Sequence, residues 1–252
     1  QHAGTAVSPY RPDIDGLRAW AVLAVVLFHV EVAGVQGGYV GVDVFFVLSG
    51  YLIPSIIIHG LHSGTFSLAH FYERRARRIL PALFVVLAIS IPCAWLFLLP
   101  NDMKEFARSI KYVAGFVSNI HFAERSGYFD TASDLMPLLH TWSLAIEEQF
   151  YIAFPLVLLL SWRFDKKWIF AGLAATAAAS LAYAEYMTRA DPDGSFFLLP
   201  ARLWELILGS LLAFAFAFRW HDYRTASNSR QVLALLGLLL IVYAVLAFDK
   251  SV

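Results

Sequence analysis

Residues 39–59, YVGVDVFFVLSGYLIPSIIIH, hold one carboxylate and no lysine or arginine over a stretch long enough to cross a bilayer. Runs of similar character recur at 17–35, 80–99, 140–161, 168–186, 197–218 and 231–248. Hydrocarbon offers no partner to a bare peptide group, so such runs must satisfy their own backbones as helices. The expected fold class is all-α, a polytopic transmembrane helix bundle. Composition agrees: 59% of the 252 residues are hydrophobic and 15% charged, where a soluble domain carries about a quarter charged. The zero formal net charge gives no footprint for nucleic acid. The lone Cys93 excludes an internal disulfide framework and a multi-cysteine metal site. The histidines at 59, 62, 70, 121 and 221 form no ligand spacing, and no metal is expected.

Basic residues set the expected orientation. YERRARRILP places Arg74, Arg75, Arg77 and Arg78 between the second and third runs, and WRFDKKW and RWHDYR are further basic links. With all three in the cytoplasm, the N-terminus lies there too. The run from His140 must then return to the cytoplasm, so 106–122 (FARSIKYVAGFVSNIHF) does not cross alone. Its Arg108, Lys111, Ser118 and Asn119 suit an interfacial or re-entrant helix on the outer side. Residues 1–252 read as one transmembrane domain without a cleavable signal peptide. The chain opens on Gln1 and stops just after an apolar run, which points to a piece of a longer protein.

Polar groups inside the runs carry the functional signal. Arg18 and His29 in LRAWAVLAVVLFHV are eleven positions apart, on one helix face with ~20° of drift and ~16 Å of rise. Arg18 reads either as a snorkelling anchor or as a ligand for an anion. His29 reads either as a packing histidine or as a proton-handling group. Asp43 falls ~6 Å and Ser49 ~15 Å below the outer end of their run. Glu147 and Glu148 lie about two turns inside theirs. Arg202 and Glu205 are three apart and able to pair. His29, Asp43, Glu147 and Glu205 are thus expected in the outer half of the bilayer, and Arg18 with the Arg74–Arg78 cluster on the inner side. The outer set suits proton transfer, with His29 as general base and Glu147 or Asp43 orienting it. Ser49, before Gly50, suits close helix packing rather than nucleophilic attack. The inner set suits phosphate, since Arg75 and Arg78 share a face if helical.

At these residues the sequence resembles the acyltransferase-3 family of bacterial integral-membrane O-acyltransferases. The resemblance rests on YRPDIDGLRAWAVLAVVLFHV, GGYVGVDVFFVLSGYLI, FYERRARRILPAL, PLLHTWSLAIEEQFY and LPARLWELILGSLLAF, in that order over about residues 9 to 218. It implies a catalytic role for His29, with Arg18 at the start of the arginine–histidine motif. It implies that Arg75 and Arg78 serve the acyl-coenzyme A donor, and that Trp142, Ser143 and Glu147 form a motif block. The implied reaction moves an acyl group, acetyl by expectation, from acetyl-CoA to a hydroxyl of a cell-envelope glycan. Lipopolysaccharide O-antigen, peptidoglycan and exopolysaccharide are the implied acceptor classes. Acyl-CoA is then a co-substrate, no cofactor is permanently bound, and the other partners are membrane lipid and the glycan or a lipid-linked saccharide. The implied location is the bacterial cytoplasmic membrane. The opening block resembles the subgroup with a following SGNH-hydrolase-like domain, and the family's further spans would lie beyond Val252. From the residues alone, a proton-coupled transporter and a non-catalytic envelope-lipid-binding scaffold remain as alternatives.

Overall fold

The computed structural model describes residues 11–125, 136–218 and 228–248. Among them every regular element is a helix: α1 (Pro12–His29), α2 (Val40–His62), α3 (Leu68–Phe97), α4 (Pro100–Ala114), α5 (Ser118–Ala123), α6 (Thr141–Ser161), α7 (Lys166–Ala190), α8 (Pro192–Phe197), α9 (Leu199–Phe218) and α10 (Asn228–Ala247). By length and composition α2, α3, α6, α7 and the α8–α9 stretch can cross a bilayer. Burial follows the logic of a lipid solvent. Phe84, Val85, Ile89 and Trp95 on α3, Ile152 and Val157 on α6, and Leu233, Leu236 and Leu240 on α10 stay exposed. Ser118, Asn119, Glu147, Glu148, Glu205 and Ser210 are buried. Uncovered apolar side chains around buried polar ones mark a multi-pass membrane protein.

Three helix boundaries correct the sequence reading. The first helix covers 12–29, not 17–35. Pro12 supplies a preset φ at its first turn, and Asp13 and Asp15 complement the positive end of the dipole. Beyond His29 the chain reverses through Glu31 and Gly34, both at positive φ. The third expected run, 80–99, is only the second part of the thirty-residue α3, which begins where Ser67 caps the His70 amide. The arginine cluster therefore sits on a continuous helix and not in a loop. At ~45 Å, α3 exceeds the ~30 Å hydrocarbon core, so a helical extension can carry those charges. The expected single element at 106–122 is broken at Phe116 (φ 55°) into α4 and α5, of 15 and 6 residues. Neither reaches the ~20 residues a crossing needs.

The chain divides into two compact units, Gln1–His59 with Leu208–Val252, and Gly60–Ile207. In the first, α1 and α2 form a hairpin along a seam of small residues. A Cβ at Gly41 would collide with the Ala21 carbonyl oxygen, and one at Gly209 with the Val47 carbonyl oxygen. Backbones can meet this closely only without those side chains. Ser210 Oγ donates to the Gly50 carbonyl at 3.1 Å, and the Gly37 amide donates to Val245 on α10 at 3.0 Å.

In the second unit, buried α5 ties several elements together. Ser118 Oγ donates to the Thr141 carbonyl (3.0 Å) and Asn119 Nδ2 to the Phe197 carbonyl (3.2 Å). Gln149 Nε2 on α6 donates to Asn119 Oδ1 (2.7 Å) and to the Phe116 carbonyl (2.9 Å). Ser180 Oγ on α7 donates to the Pro200 carbonyl (2.7 Å) and accepts from the Trp204 amide (2.9 Å), holding the start of α9.

Candidate functional site

In the first unit, α1 presents two faces. Ala21 and Ala24 turn into the seam with α2. On the other side an open groove is lined by Asp15, Arg18, Ala19, Val22, Val26 and Phe45. Arg18 lies over the Phe45 ring, its Cζ 4.9 Å from the centroid, and its buried Nε makes no hydrogen bond. Val22 and Val26 are half-exposed, so an apolar strip runs from Arg18 towards His29.

His29 closes α1 and is exposed. Its Nδ1 lies 2.8 Å from the Val25 carbonyl, one helical turn back. A carbonyl only accepts, so Nδ1 carries the hydrogen, and in the neutral ring the lone pair is then on Nε2. Phe28 packs edge-on against the ring at 5.3 Å. The bond that orients the imidazole thus comes from its own helix. Asp43 stands in the first turn of α2, half-buried. Ser49 is buried beside Gly50, where α9 approaches, which is the small-residue packing the sequence suggests.

In the second unit the arginines of α3 separate by face. Arg74, Arg77 and Arg78 are exposed, and Arg77 pairs with Glu73 at 2.9 Å. Arg75 alone turns inward. Its Cζ lies 4.3 Å from the Tyr151 ring centroid and its Nη2 3.9 Å from Glu148 Oε1. Nearby, the Tyr72 hydroxyl donates to the Ile152 carbonyl at 2.7 Å. These contacts register α3 against α6 and change the expected separation by depth. Glu148 lies seven residues, ~10 Å, from the Thr141 end of α6 and thirteen, ~20 Å, from the Ser161 end. An arginine placed by sequence on the inner side therefore shares a level with a carboxylate placed in the outer half. The cause is the early start of α3, which carries the cluster along the flank of α6.

The remaining expected residues gather where α6, α8 and α9 meet. Trp142 packs against Phe196 and Phe197, with ring centroids 4.7 and 5.5 Å away. Arg202 lies over Phe196 and donates from Nε to its carbonyl at 3.1 Å. Its Nη1 donates to Glu205 Oε1 at 3.0 Å, the pair anticipated from their spacing. Ser143 Oγ donates to the His140 carbonyl at 3.2 Å, and Glu147 is buried in α6. Sequence reasoning passed over Glu148, Tyr151, Asn119 and Gln149 as site residues. The i, i+3 spacing of Glu148 and Tyr151 was the available signal, since it puts a carboxylate and a ring on one face. Among the described residues, no three His, Cys, Asp or Glu side chains converge as a metal site.

A buried arginine–carboxylate pair, a groove headed by arginine and a histidine with a fixed tautomer occur on the blocks that resemble one family. The model of the acyltransferase domain of family 3 matches residues 11–251. This chain belongs to the acyltransferase-3 family. It is 35% identical over 244 residues to the peptidoglycan O-acetyltransferase OatA of Listeria monocytogenes, covering 94% of this chain and 39% of that protein. It is 35% identical over 209 residues to the O-acetyltransferase OatA of Staphylococcus aureus, covering 81% of this chain and 34% of that protein. The chain thus spans little more than a third of the length of these relatives. No solved structure matches it. In this acyltransferase-3 chain, His29, Arg18, Asp43 and Ser49 belong to the first unit. Arg75, Arg78, Trp142, Ser143, Glu147, Arg202 and Glu205 belong to the second.

Proposed function

We propose that the full-length protein is a membrane O-acetyltransferase that moves an acetyl group from cytoplasmic acetyl-CoA to a hydroxyl of an extracytoplasmic cell-envelope glycan. Peptidoglycan is the favoured acceptor because it is named for the Listeria relative; lipopolysaccharide and exopolysaccharide are the other acceptor classes. The observation that carries the reading is the His29 imidazole, exposed at the end of α1 with Nδ1–H bound to Val25. A neutral imidazole held in this tautomer offers Nε2 as a base.

The mechanism follows from that atom. Nε2 takes the proton from the sugar hydroxyl as its oxygen attacks the acetyl carbonyl carbon. The carbon–sulfur bond of the thioester then breaks, and the departing thiolate takes the proton from the imidazolium. The products are the sugar ester and coenzyme A. Arg75, Arg78 and Arg18 serve the donor, whose phosphates match exposed guanidinium groups such as that of Arg78. Asp43 and Glu147 act in support of the charged imidazolium. Trp142, Ser143, Arg202 and Glu205 hold the second unit's frame around α6 and α9. The orientation has the N-terminus in the cytoplasm of the bacterial inner membrane.

Acetyl-CoA consumption by the purified full-length protein, followed with envelope glycan present, tests the reading. Release of coenzyme A matched by ester formation supports it. Movement of glycan precursor without thioester cleavage would identify a transporter, and glycolipid binding without either would identify a scaffold.

A further inference from the structure

Asp15 and Arg18 stand about one turn apart on α1, a spacing that lets opposite charges meet. Among the described residues they nevertheless form no ion pair with each other. The guanidinium is drawn over the Phe45 ring of α2 instead, its Cζ 4.9 Å from the centroid. Its Nε is buried without a hydrogen bond, while Nη1 and Nη2 keep accessible surface. Asp15 is exposed. Both charges line the open groove along α1, about 470 Å³ in volume, whose floor continues over Val22, Leu23 and Val26. Those three side chains are half-exposed. From Arg18 to Val26 the strip rises ~12 Å along the helix. A snorkelling arginine extends its head freely into water. This one is held against a ring at the head of an apolar strip.

Two opposite charges at one end and an apolar floor beyond them repeat the order of headgroup and chain in a phospholipid. The groove is also of a size that holds a ligand. A lipid phosphate accepts from the Arg18 Nη atoms. Alone, it would bring a second negative charge beside the Asp15 carboxylate, whose residue lies only ~4.5 Å along the axis. A headgroup ammonium next to the phosphate removes that conflict by donating to Asp15. A primary ammonium brings three N–H donors, whereas a quaternary one has none. We propose that Asp15, Arg18 and the strip beyond them form a site for a zwitterionic phospholipid with a primary ammonium, such as phosphatidylethanolamine. Its acyl chain lies along Val22, Leu23 and Val26. The site does not rest on the donor reading of Arg18; where both hold, lipid and donor compete for one guanidinium.

Native mass spectrometry of the purified full-length protein, titrated with phosphatidylethanolamine, phosphatidylcholine and phosphatidylglycerol of identical chains, tests the site. Wild type should bind the first lipid at least about threefold more tightly than either of the others, the scale of one partly exposed charge contact. Asp15→Asn keeps the side chain's shape and should erase the preference over phosphatidylglycerol. Arg18→Gln should weaken all three lipids. Asp15 is exposed, so its variant carries the test even where the Arg18 variant folds poorly. Equal affinities for the three headgroups in wild type, or tighter binding of phosphatidylglycerol, would overturn the site. So would an Asp15→Asn protein that keeps the full preference. The readout is bound lipid and not acetyl transfer, so the lipid site and the donor reading fail separately.

Discussion

At the scale of single residues, His29 is decided by a backbone atom. The eleven-residue spacing from Arg18 was legible because helical periodicity is fixed, and both residues sit on α1 as expected. What the spacing hid was that α1 ends at His29, so that the ring folds back onto Val25 rather than onto a carboxylate. A helix end is set by the turn that follows it, here Glu31 and Gly34 at positive φ, and hydropathy does not register that. Replacing His29 with alanine should lower glycan acetylation by at least about a hundredfold, the usual scale of a lost general base. Ester content of envelope glycan, read beside the amount of protein in the membrane fraction, checks this. Normal membrane levels with unchanged ester content would remove His29 from the reaction.

Arg75 shows the opposite limit. Its motif was legible, but its partner was not, because Glu147 and Glu148 are equivalent in sequence until the register of α3 on α6 is known. One of the two faces Arg75 across 3.9 Å.

Among the elements, α3 and the α4–α5 pair were the least legible. Hydropathy detects only the apolar part of α3, and a run of arginines imitates a loop. Continuity through Pro81 and Pro92 is a tertiary fact. The sequence marks 106–122 as a poor span, and α4 and α5, at 15 and 6 residues, are both shorter than a crossing needs, but the role of α5 was not legible. Six residues are too few for a pattern, and its importance lies in hydrogen bonds to α6 and to Phe197.

His121 on α5 stacks on Tyr112 of α4 at 4.4 Å and 7°. Burial holds its pKa below the ordinary value, helped by the Arg125 charge, while Glu105 and Glu124 pull the other way. The unfolded chain therefore takes up the proton first as pH falls, and stability declines from about pH 6.5 downward. Scanning fluorimetry should show a smaller loss of thermal midpoint between pH 7.5 and 5 for His121→Phe than for wild type. Equal losses would refute this. The close approach of α9 to α2 makes a second test. Gly209→Val should destabilise by roughly 1–3 kcal/mol through overpacking, whereas Gly237→Ala, with nothing within 4 Å of its Cβ, should not destabilise. Detergent unfolding of both variants gives the comparison, and a neutral Gly209→Val would contradict the close approach.

For the molecule as a whole, membrane class and family were legible because both are carried by long, ordered features. Apolar runs report the solvent, and five signature blocks in sequence report the family. Span boundaries were less legible, since a bilayer constrains helix length only loosely. The proposed group transfer from a thioester to a glycan belongs to the full-length protein. The most direct measurement uses that protein in proteoliposomes with isotopically labelled acetyl-CoA on the face carrying the α3 arginines and peptidoglycan fragments on the other. Direct transfer gives alkali-labile acetyl label on the fragments, one coenzyme A released per ester, and no label with His29→Ala. Unlabelled fragments with intact acetyl-CoA, or equal labelling by the His29 variant, would contradict it.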